Sequence, residues 1–132
     1  MCQAVGRGMI GRRFGRIINV ASLAGLSGQP PEVMDAVGYS ASKGAIIALT
    51  KDLAVKWARH GITVNVIAPG WFPTRMSEKV IERAGRTLTA SIPMGRIGRP
   101  GEVKGAAVYL ASDAASYVTG QVFAIDGGLL AL

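Results

Sequence analysis

Residues 14–22 read FGRIINVAS, and this stretch decides the fold. It is apolar through Ile17 and Val20, which predicts a strand over residues 14–21 that is buried on both faces. Strands of that kind belong to parallel sheets that helices cover on both sides. Ser22 then falls at the carboxyl end of the strand, which is the end where ligands bind in open parallel sheets.

The rest of the chain continues the alternation of helix and strand. We predict the end of a helix over residues 1 to about 12, and a long helix over the apolar run from about Val37 to Arg59. The segments 62–67 and 122–125 are predicted as the second and third strands, and a shorter helix as running from Pro100 to about Ser112. The sequence therefore predicts an α/β protein with a parallel sheet of three strands and flanking helices.

Tyr39 and Lys43 stand four residues apart at the head of the long predicted helix. Positions i and i+4 of an α-helix lie on one face, so we expect the Lys43 ammonium beside the Tyr39 phenol. A neighbouring positive charge favours the phenolate, which prepares the phenol to exchange a proton with a carbonyl or alcohol oxygen. Ser22 can hold that same oxygen. These three side chains are therefore predicted to form an acid/base catalytic site.

The three residues resemble the active site of the short-chain dehydrogenase/reductase family, in which a serine follows a strand and Tyr-x-x-x-Lys opens the next long helix. Segments 15–22, 65–70, 118–121 and 126–128 are similar to family segments in the family's order, so the resemblance covers nearly the whole chain. It implies the C-terminal part of a Rossmann-like, doubly wound parallel sheet. It also implies hydride transfer between NAD or NADP and a small-molecule carbonyl or secondary alcohol.

The resemblance further implies a cofactor-binding segment after the second strand. In the family a Pro-Gly-x-x-x-Thr element runs beside the nicotinamide, with a backbone contact to the carboxamide and a threonine hydroxyl on the carboxamide or a phosphate. The other interpretation of this segment is a simple strand-to-helix turn with Thr74 as the N-cap. The cofactor-binding residues that the resemblance implies are Tyr39, Lys43, Pro69, Gly70, Phe72 and Thr74.

Two family segments are missing from the sequence. One is the Thr-Gly-x-x-x-Gly-x-Gly turn, which receives the dinucleotide pyrophosphate at a helix N-terminus, and the other is Asn-Asn-Ala-Gly. We therefore expect residues 1–132 to form a single unit, the catalytic C-terminal half of a Rossmann domain, with the N-terminal dinucleotide-binding half absent. A truncated, catalytically silent chain, or one that only associates with other chains, is the alternative function.

The substrate is less closely defined by the resemblance. The interval between Ser22 and Tyr39 is longer than in common family members, which alters the wall above the catalytic residues. Segments of the chain are similar to gluconate 5-dehydrogenase-like members and to 3-oxoacyl-thioester reductases, so a polyhydroxy acid and an acyl thioester both stay open. Residues 75–98 are predicted as a short helix flanked by mobile segments, which suits a lid. The apolar pocket walls are predicted to come from Trp71, Phe72, Met76, Ile92 and Met94.

The long predicted helix is apolar nearly all round, so it must be covered on several sides, by its own sheet and by a neighbouring element or subunit. In the family, the corresponding helix builds a subunit interface. The resemblance therefore implies a homo-oligomer, specifically a homotetramer.

Charge and composition restrict the other functions that the sequence allows. The net charge is +7, and four arginines (7, 12, 13 and 16) precede the first acidic residue, Glu32. They suit a nucleic-acid contact, a targeting peptide or the end of a helix, and we favour the helix end because no aromatic residues interleave with them to stack on bases. We expect no nucleic-acid partner.

A single cysteine, Cys2, excludes an internal disulfide and favours a cytoplasmic setting. With one cysteine and one histidine, His60, a zinc cluster is not expected, and no metal site is predicted. The mean hydropathy of +0.32 comes without an apolar stretch of membrane-spanning length. We therefore expect no membrane partner.

Overall fold

The computed structural model describes all 132 residues and has its helices and strands in the predicted order. Short 3₁₀ turns follow β1, α2, α4 and β3. The bounds are α1 (Cys2–Arg12), β1 (Gly15–Val20), α2 (Val37–Trp57), β2 (Ile62–Pro69), α3 (Glu78–Ser91), α4 (Lys104–Ala111) and β3 (Val122–Ile125).

The three strands form one parallel sheet in the order β1-β2-β3, which confirms the predicted fold class. Gly15 lies opposite Ile62, and Val66 lies opposite Val122. The central strand β2 is buried along nearly its whole length because it has a strand on each side and helices above and below. β1 pairs only with β2, so its other edge has no strand partner in this chain.

Helices cover both faces of the sheet, as in a doubly wound domain. On one face, Ile62 and Val64 of β2 pack with Ala54 of α2. On the opposite face, Ile67 packs with Leu110 of α4. Alternate residues of β2 thus enter two different cores, since successive side chains of a strand point to opposite faces.

A buried polar contact joins α2 to β1. The Asn19 side-chain amide donates to the Thr50 hydroxyl at 2.9 Å, and that hydroxyl donates to the Ile46 carbonyl at 2.8 Å. Thr50 is fully buried, so its hydroxyl depends on these protein partners rather than on water. The contact holds the helix that carries Tyr39 and Lys43 in one position along the strand.

The helices between β2 and β3 differ from the predicted ones in length and in starting residue. α3 is a helix of 14 residues, and its Leu88 packs with Leu23 and Trp71 in a buried cluster beyond the carboxyl ends of the strands. α4 begins at Lys104 rather than near Pro100. Gly101 has a φ of 95°, which an α-helix does not accommodate, so the residues before Lys104 form tight turns instead.

α2 is covered on one side only within the chain. Ile47, Thr50 and Ala54 are buried against the sheet, whereas Leu49 and Val55 are 47% and 82% exposed. We predicted that α2 is covered on several sides, and within this chain it is covered on one of them. None of the helices combines the length and the apolar character that a bilayer crossing requires.

Candidate active site

A cleft of about 600 Å³ opens at the carboxyl ends of the strands. Its walls come from the end of β1, the head of α2, the segment after β2 and the start of α3. All of the predicted catalytic and cofactor-binding residues line this one cleft: Ser22, Tyr39, Lys43, Pro69, Gly70, Phe72 and Thr74.

Tyr39 and Lys43 lie in the first two turns of α2 and share a face. The Lys43 ammonium is 5.5 Å from the centre of the Tyr39 ring, as the four-residue spacing predicts. The same ammonium donates a hydrogen bond to the Val20 carbonyl at 3.1 Å. Because Val20 is the last residue of β1, this bond ties the head of α2 to the carboxyl end of the strand.

Ser22 adopts extended backbone angles directly after β1 and caps the turn Leu23–Gly25. Its hydroxyl oxygen accepts a hydrogen bond from the Ala24 N–H at 3.3 Å. A serine hydroxyl has one proton to donate as well as lone pairs to accept, so the capping bond leaves its proton free. Capping and a contact to a ligand oxygen in the cleft are therefore compatible roles.

The turn after Ser22 packs directly on α2. A Cβ atom at Gly25 would come within 2.7 Å of the Lys43 carbonyl carbon, so only a residue without a side chain fits there. The close approach brings Ser22 to the side of α2 that carries Tyr39 and Lys43. The backbone of Gly25 thus sets the relative position of the three side chains, although it lies outside the cleft.

The segment after β2 turns sharply into the cleft. The Gly70 N–H donates to the Ile125 carbonyl at 2.9 Å, and a Cβ atom at Gly70 would lie 2.7 Å from the Asp126 Cα. Trp71 is buried below the cleft, and Phe72 lines it. The approach of the last strand therefore requires the glycine at position 70, whether or not a ligand is bound beside it.

Thr74 and Ser77 bond to each other in the turn that leads into α3. The Ser77 N–H donates to the Thr74 hydroxyl at 3.3 Å, and the Thr74 N–H donates to the Ser77 hydroxyl at 2.9 Å. The N-cap of α3 is Ser77, so Thr74 lies three residues before the N-cap rather than at it, and the N-cap interpretation of Thr74 is wrong. The two residues fix the turn before the helix, and both line the cleft.

Some walls of the cleft were predicted and others were not. Trp71, Phe72 and Met76 line it as expected, whereas Ile92 and Met94 line a smaller cavity of about 220 Å³ on the other side of Trp71 and Phe72. The long interval after Ser22 forms part of the wall. Lining residues that the sequence did not single out are Val20, Ala21, Leu23, Met34, Ala36, Arg75, Ser77 and Val80.

Some of these missed residues carry one signal only, which is that they lie next to predicted site residues in the sequence. Ala21 and Arg75 are adjacent to Ser22 and Thr74, so a search around the predicted positions would have included them. Met34 lies far from any motif and enters the cleft because the loop before α2 folds back over it. No local pattern marks such a position.

The cleft suits the nicotinamide end of a dinucleotide. Gly70 lines it with backbone alone, Phe72 offers an apolar surface, and the Thr74 hydroxyl, which already bonds to Ser77, keeps a lone pair that can accept a hydrogen bond. In contrast, no group of histidine, cysteine, aspartate or glutamate side chains is placed to hold a metal ion.

A parallel, doubly wound sheet with a serine, a tyrosine and a lysine around one cleft at its carboxyl edge is a Rossmann-like arrangement. Residues 1–130 match the family model described as enoyl-(acyl carrier protein) reductase. The chain belongs to the short-chain dehydrogenase/reductase family.

Two relatives with different names are similar to nearly the whole chain. The 3-oxoacyl-(acyl-carrier-protein) reductase FabG of Thermotoga maritima is 47% identical over 122 residues, which are 92% of this chain and 48% of that protein. The galactitol 2-dehydrogenase (L-tagatose-forming) of Cereibacter sphaeroides is 46% identical over 128 residues, which are 96% of this chain and 50% of that protein. The chain thus spans about half the length of the relatives it matches.

Solved structures of two other proteins are also similar to nearly the whole chain. A gluconate 5-dehydrogenase from Burkholderia cenocepacia, in complex with NADP and tartrate, superposes with a TM-score of 0.93 at 40% identity, over 99% of this chain and 51% of that one. A 3-oxoacyl-(acyl-carrier protein) reductase from Brucella melitensis gives a TM-score of 0.89 at 38% identity, over 97% of this chain and 47% of that one.

Proposed function

We propose that the protein is an oxidoreductase that transfers hydride between NAD or NADP and a carbonyl or secondary alcohol. The observation that carries the proposal is the shared cleft, in which Ser22 and Tyr39 face the same space and the Lys43 ammonium lies 5.5 Å from the Tyr39 ring. Residues 1–132 supply the catalytic C-terminal half of the Rossmann domain in this proposal.

Each of the three residues has a distinct part in the proton chemistry. Tyr39 gives a proton to the carbonyl oxygen during reduction and removes it from the alcohol during oxidation. Lys43 places a positive charge beside the phenol ring while the proton is transferred. Ser22 donates its free hydroxyl proton to the substrate oxygen and holds it near Tyr39. The bound nicotinamide supplies or accepts the hydride.

The cofactor site in this proposal is built from residues on both sides of the cleft. Lys43 and Tyr39 hold the nicotinamide ribose from α2. From the opposite side, the backbone of Pro69, Gly70 and Phe72 and the hydroxyl of Thr74 bind the carboxamide. The structural relatives with bound NADP support a nicotinamide dinucleotide as the cofactor.

Two substrate classes agree with the relatives. Their names divide between dehydrogenases of sugar acids or polyols and reductases of 3-oxoacyl thioesters. A polyhydroxy acid and an acyl thioester differ in polarity, so the absorbance of the reduced cofactor during turnover of 5-ketogluconate and of an acetoacetyl thioester distinguishes them. We expect one of the two to be reduced at a clearly higher kcat/KM.

The proposal includes a homo-oligomer, specifically a tetramer, that covers the exposed face of α2. That face carries small and apolar residues along its length: Ala41, Ala45, Ala48, Leu49 and Val55. Burial of such a surface against a second copy is favourable because it removes apolar area from water. A cytoplasmic location completes the proposal and is supported by the single cysteine.

Replacement of Tyr39 tests the proposed function. In the complete enzyme, Tyr39→Phe should abolish turnover because phenylalanine has no proton to exchange, while the Kd for the cofactor changes little. The matched control is Tyr117→Phe, because Tyr117 is fully exposed and far from the cleft lining. Activity of the Tyr39→Phe enzyme within tenfold of wild type would refute the role.

A catalytically silent chain is the second candidate function. It is favoured by the span of about half the relatives' length and by the unpaired edge of β1, which invites association with another strand. In that case a chain of residues 1–132 binds neither NADH nor NADPH tightly. Calorimetric titration with both cofactors decides the matter, since micromolar affinity would contradict this candidate.

A further inference from the structure

All of the charged side chains that line the cleft are positive. Its lining includes two cationic side chains, Lys43 and Arg75, and no aspartate or glutamate. Ten of its 17 lining residues are hydrophobic. Because apolar walls provide few dipoles that would compensate a charge, the cleft attracts anions from solution more strongly than an open surface does.

The two cations differ in how they are engaged. Lys43 lies over the Tyr39 ring and donates to the Val20 carbonyl, so its position is fixed by the protein. Arg75 takes part in none of the three ion pairs of the chain, which join Arg16 to Asp113, Lys56 to Asp52 and Arg96 to Glu102. Its guanidinium therefore keeps its hydrogen-bonding capacity for a ligand.

The backbone of Arg75 is well placed for such a role. It follows Thr74, and the reciprocal bonds between Thr74 and Ser77 fix this segment at the start of α3. Arg75 is exposed to solvent and lines the same cleft as Ser22 and Tyr39, so one ligand in the cleft can contact all three residues. A planar guanidinium binds a carboxylate through two parallel hydrogen bonds.

We propose that Arg75 binds a carboxylate group of the substrate, so that the preferred substrate is a carbonyl compound or alcohol that also carries an acidic group. This inference rests on the proposed function, because the carbonyl carbon is placed by Ser22 and Tyr39. It makes Arg75 a specificity residue, while the proton transfer stays with Tyr39.

The experiment compares keto acids with their own methyl esters. In the complete enzyme, keto acids with the carboxylate two to five carbons from the ketone are assayed beside the matching esters, which keep the reacting carbonyl and lose the charge. Wild-type kcat/KM for the best acid should exceed that for its ester by about 10- to 100-fold, the range expected for a hydrogen bond to a charged group. Added salt should reduce the preference, because it screens the charges.

Arg75→Gln should remove the preference for the acid while leaving kcat/KM for the ester within about threefold, since the glutamine keeps polarity without charge. Arg75→Lys should restore part of the preference. Arg86→Gln, which removes an exposed arginine of α3 outside the cleft, is the matched control and should leave the preference unchanged. The Kd for NADH and NADPH should be the same in all four enzymes.

Four results would overturn the proposal. If wild type reduces esters as well as acids, Arg75 selects no carboxylate, although the proposed function stands. If Arg75→Gln weakens NADH or NADPH binding and slows acid and ester equally, the guanidinium binds a cofactor phosphate instead. If no acid or ester is reduced but an acetoacetyl thioester is, Arg75 selects no carboxylate, although the proposed function stands; if none of the three is reduced with either cofactor, the proposed function fails, and the role of Arg75 falls with it.

Discussion

Position 25 shows how a single residue outside the cleft sets the geometry within it. Gly25 closes the turn that Ser22 begins, and its backbone lies against that of Lys43 and Gly44. A methyl group there would come within 2.7 to 2.9 Å of three backbone atoms, which cannot rotate away as a side chain can. The turn and α2 would have to separate, and with them the side chains of Ser22 and Tyr39.

Gly25→Ala should therefore reduce both stability and activity. We expect a loss of about 1 to 3 kcal/mol in the free energy of unfolding from overpacking. We also expect about a tenfold or larger fall in kcat, because small misplacements of reacting groups are costly. Urea unfolding and steady-state kinetics of the complete enzyme measure the two effects.

Gly28→Ala is the matched control for this change. Gly28 lies three residues further on, and a Cβ atom there meets nothing within 4 Å. Gly28→Ala should leave the free energy of unfolding and kcat close to the wild-type values. An equal loss in the two variants would mean that chain flexibility in the loop, rather than the contact with α2, is the important property.

At the scale of the elements, the start of α4 depends on one acidic side chain. The Glu102 carboxylate accepts hydrogen bonds at 2.9 and 2.8 Å from the Arg96 guanidinium and one at 2.7 Å from the Arg99 N–H. The hydrogen bonds from Arg96, followed by the one from the Arg99 backbone, lower the pKa of Glu102 from 4.5 to about 2. These bonds hold together the turns that lead into α4.

This lowered pKa predicts a pH-dependent contribution to stability. The folded state binds the proton of Glu102 more weakly than the unfolded state, so the contribution is complete above about pH 4.5 and is lost as the pH falls towards 2. Glu102→Gln should thus be less stable than wild type at pH 7, and the difference should shrink between pH 4.5 and 2. Urea midpoints at pH 7, 4 and 3 measure it.

The control for this prediction is Glu82→Gln. Glu82 is exposed on α3 and belongs to none of the ion pairs. Its replacement should change stability little at any of these pH values. A gap between wild type and Glu102→Gln that stays constant from pH 7 to 3 would show that the ion pair with Arg96 does not stabilise the fold.

At the scale of the whole molecule, the sheet and α2 leave apolar surface uncovered. β1 has one unpaired edge, and α2 exposes a face with Leu49 and Val55. A single copy of the chain therefore leaves unpaired backbone groups and apolar side chains in contact with water. The proposed oligomer covers the face of α2.

Ala48→Arg tests the oligomer. Ala48 is exposed in the middle of the α2 face, and an arginine there would place a charge in a surface that a second copy buries. Light scattering of the complete enzyme should show a smaller assembly than the tetramer that we propose for wild type. Ala90→Arg, at an exposed position of α3, should leave the assembly unchanged. A tetramer that persists in Ala48→Arg would place the interface elsewhere.

The sequence by itself determined what depends on neighbours along the chain. The order of strands and helices follows from apolar runs, and the shared face of Tyr39 and Lys43 follows from the geometry of one helix. The position of Ser22 at a strand end, and with it the end of the sheet that holds the cleft, has the same local origin. These features need no information about distant residues.

Only the tertiary structure decided which other residues face the cleft. Met34 and Arg75 reach it because a loop and the start of α3 pack over the strand ends, and Ile92 and Met94 are separated from it by Trp71 and Phe72. The contact of Gly25 with α2 joins segments that no periodicity relates. The physical reason is that burial and close approach depend on how separate elements pack, whereas a sequence pattern reports the preferences of one element at a time.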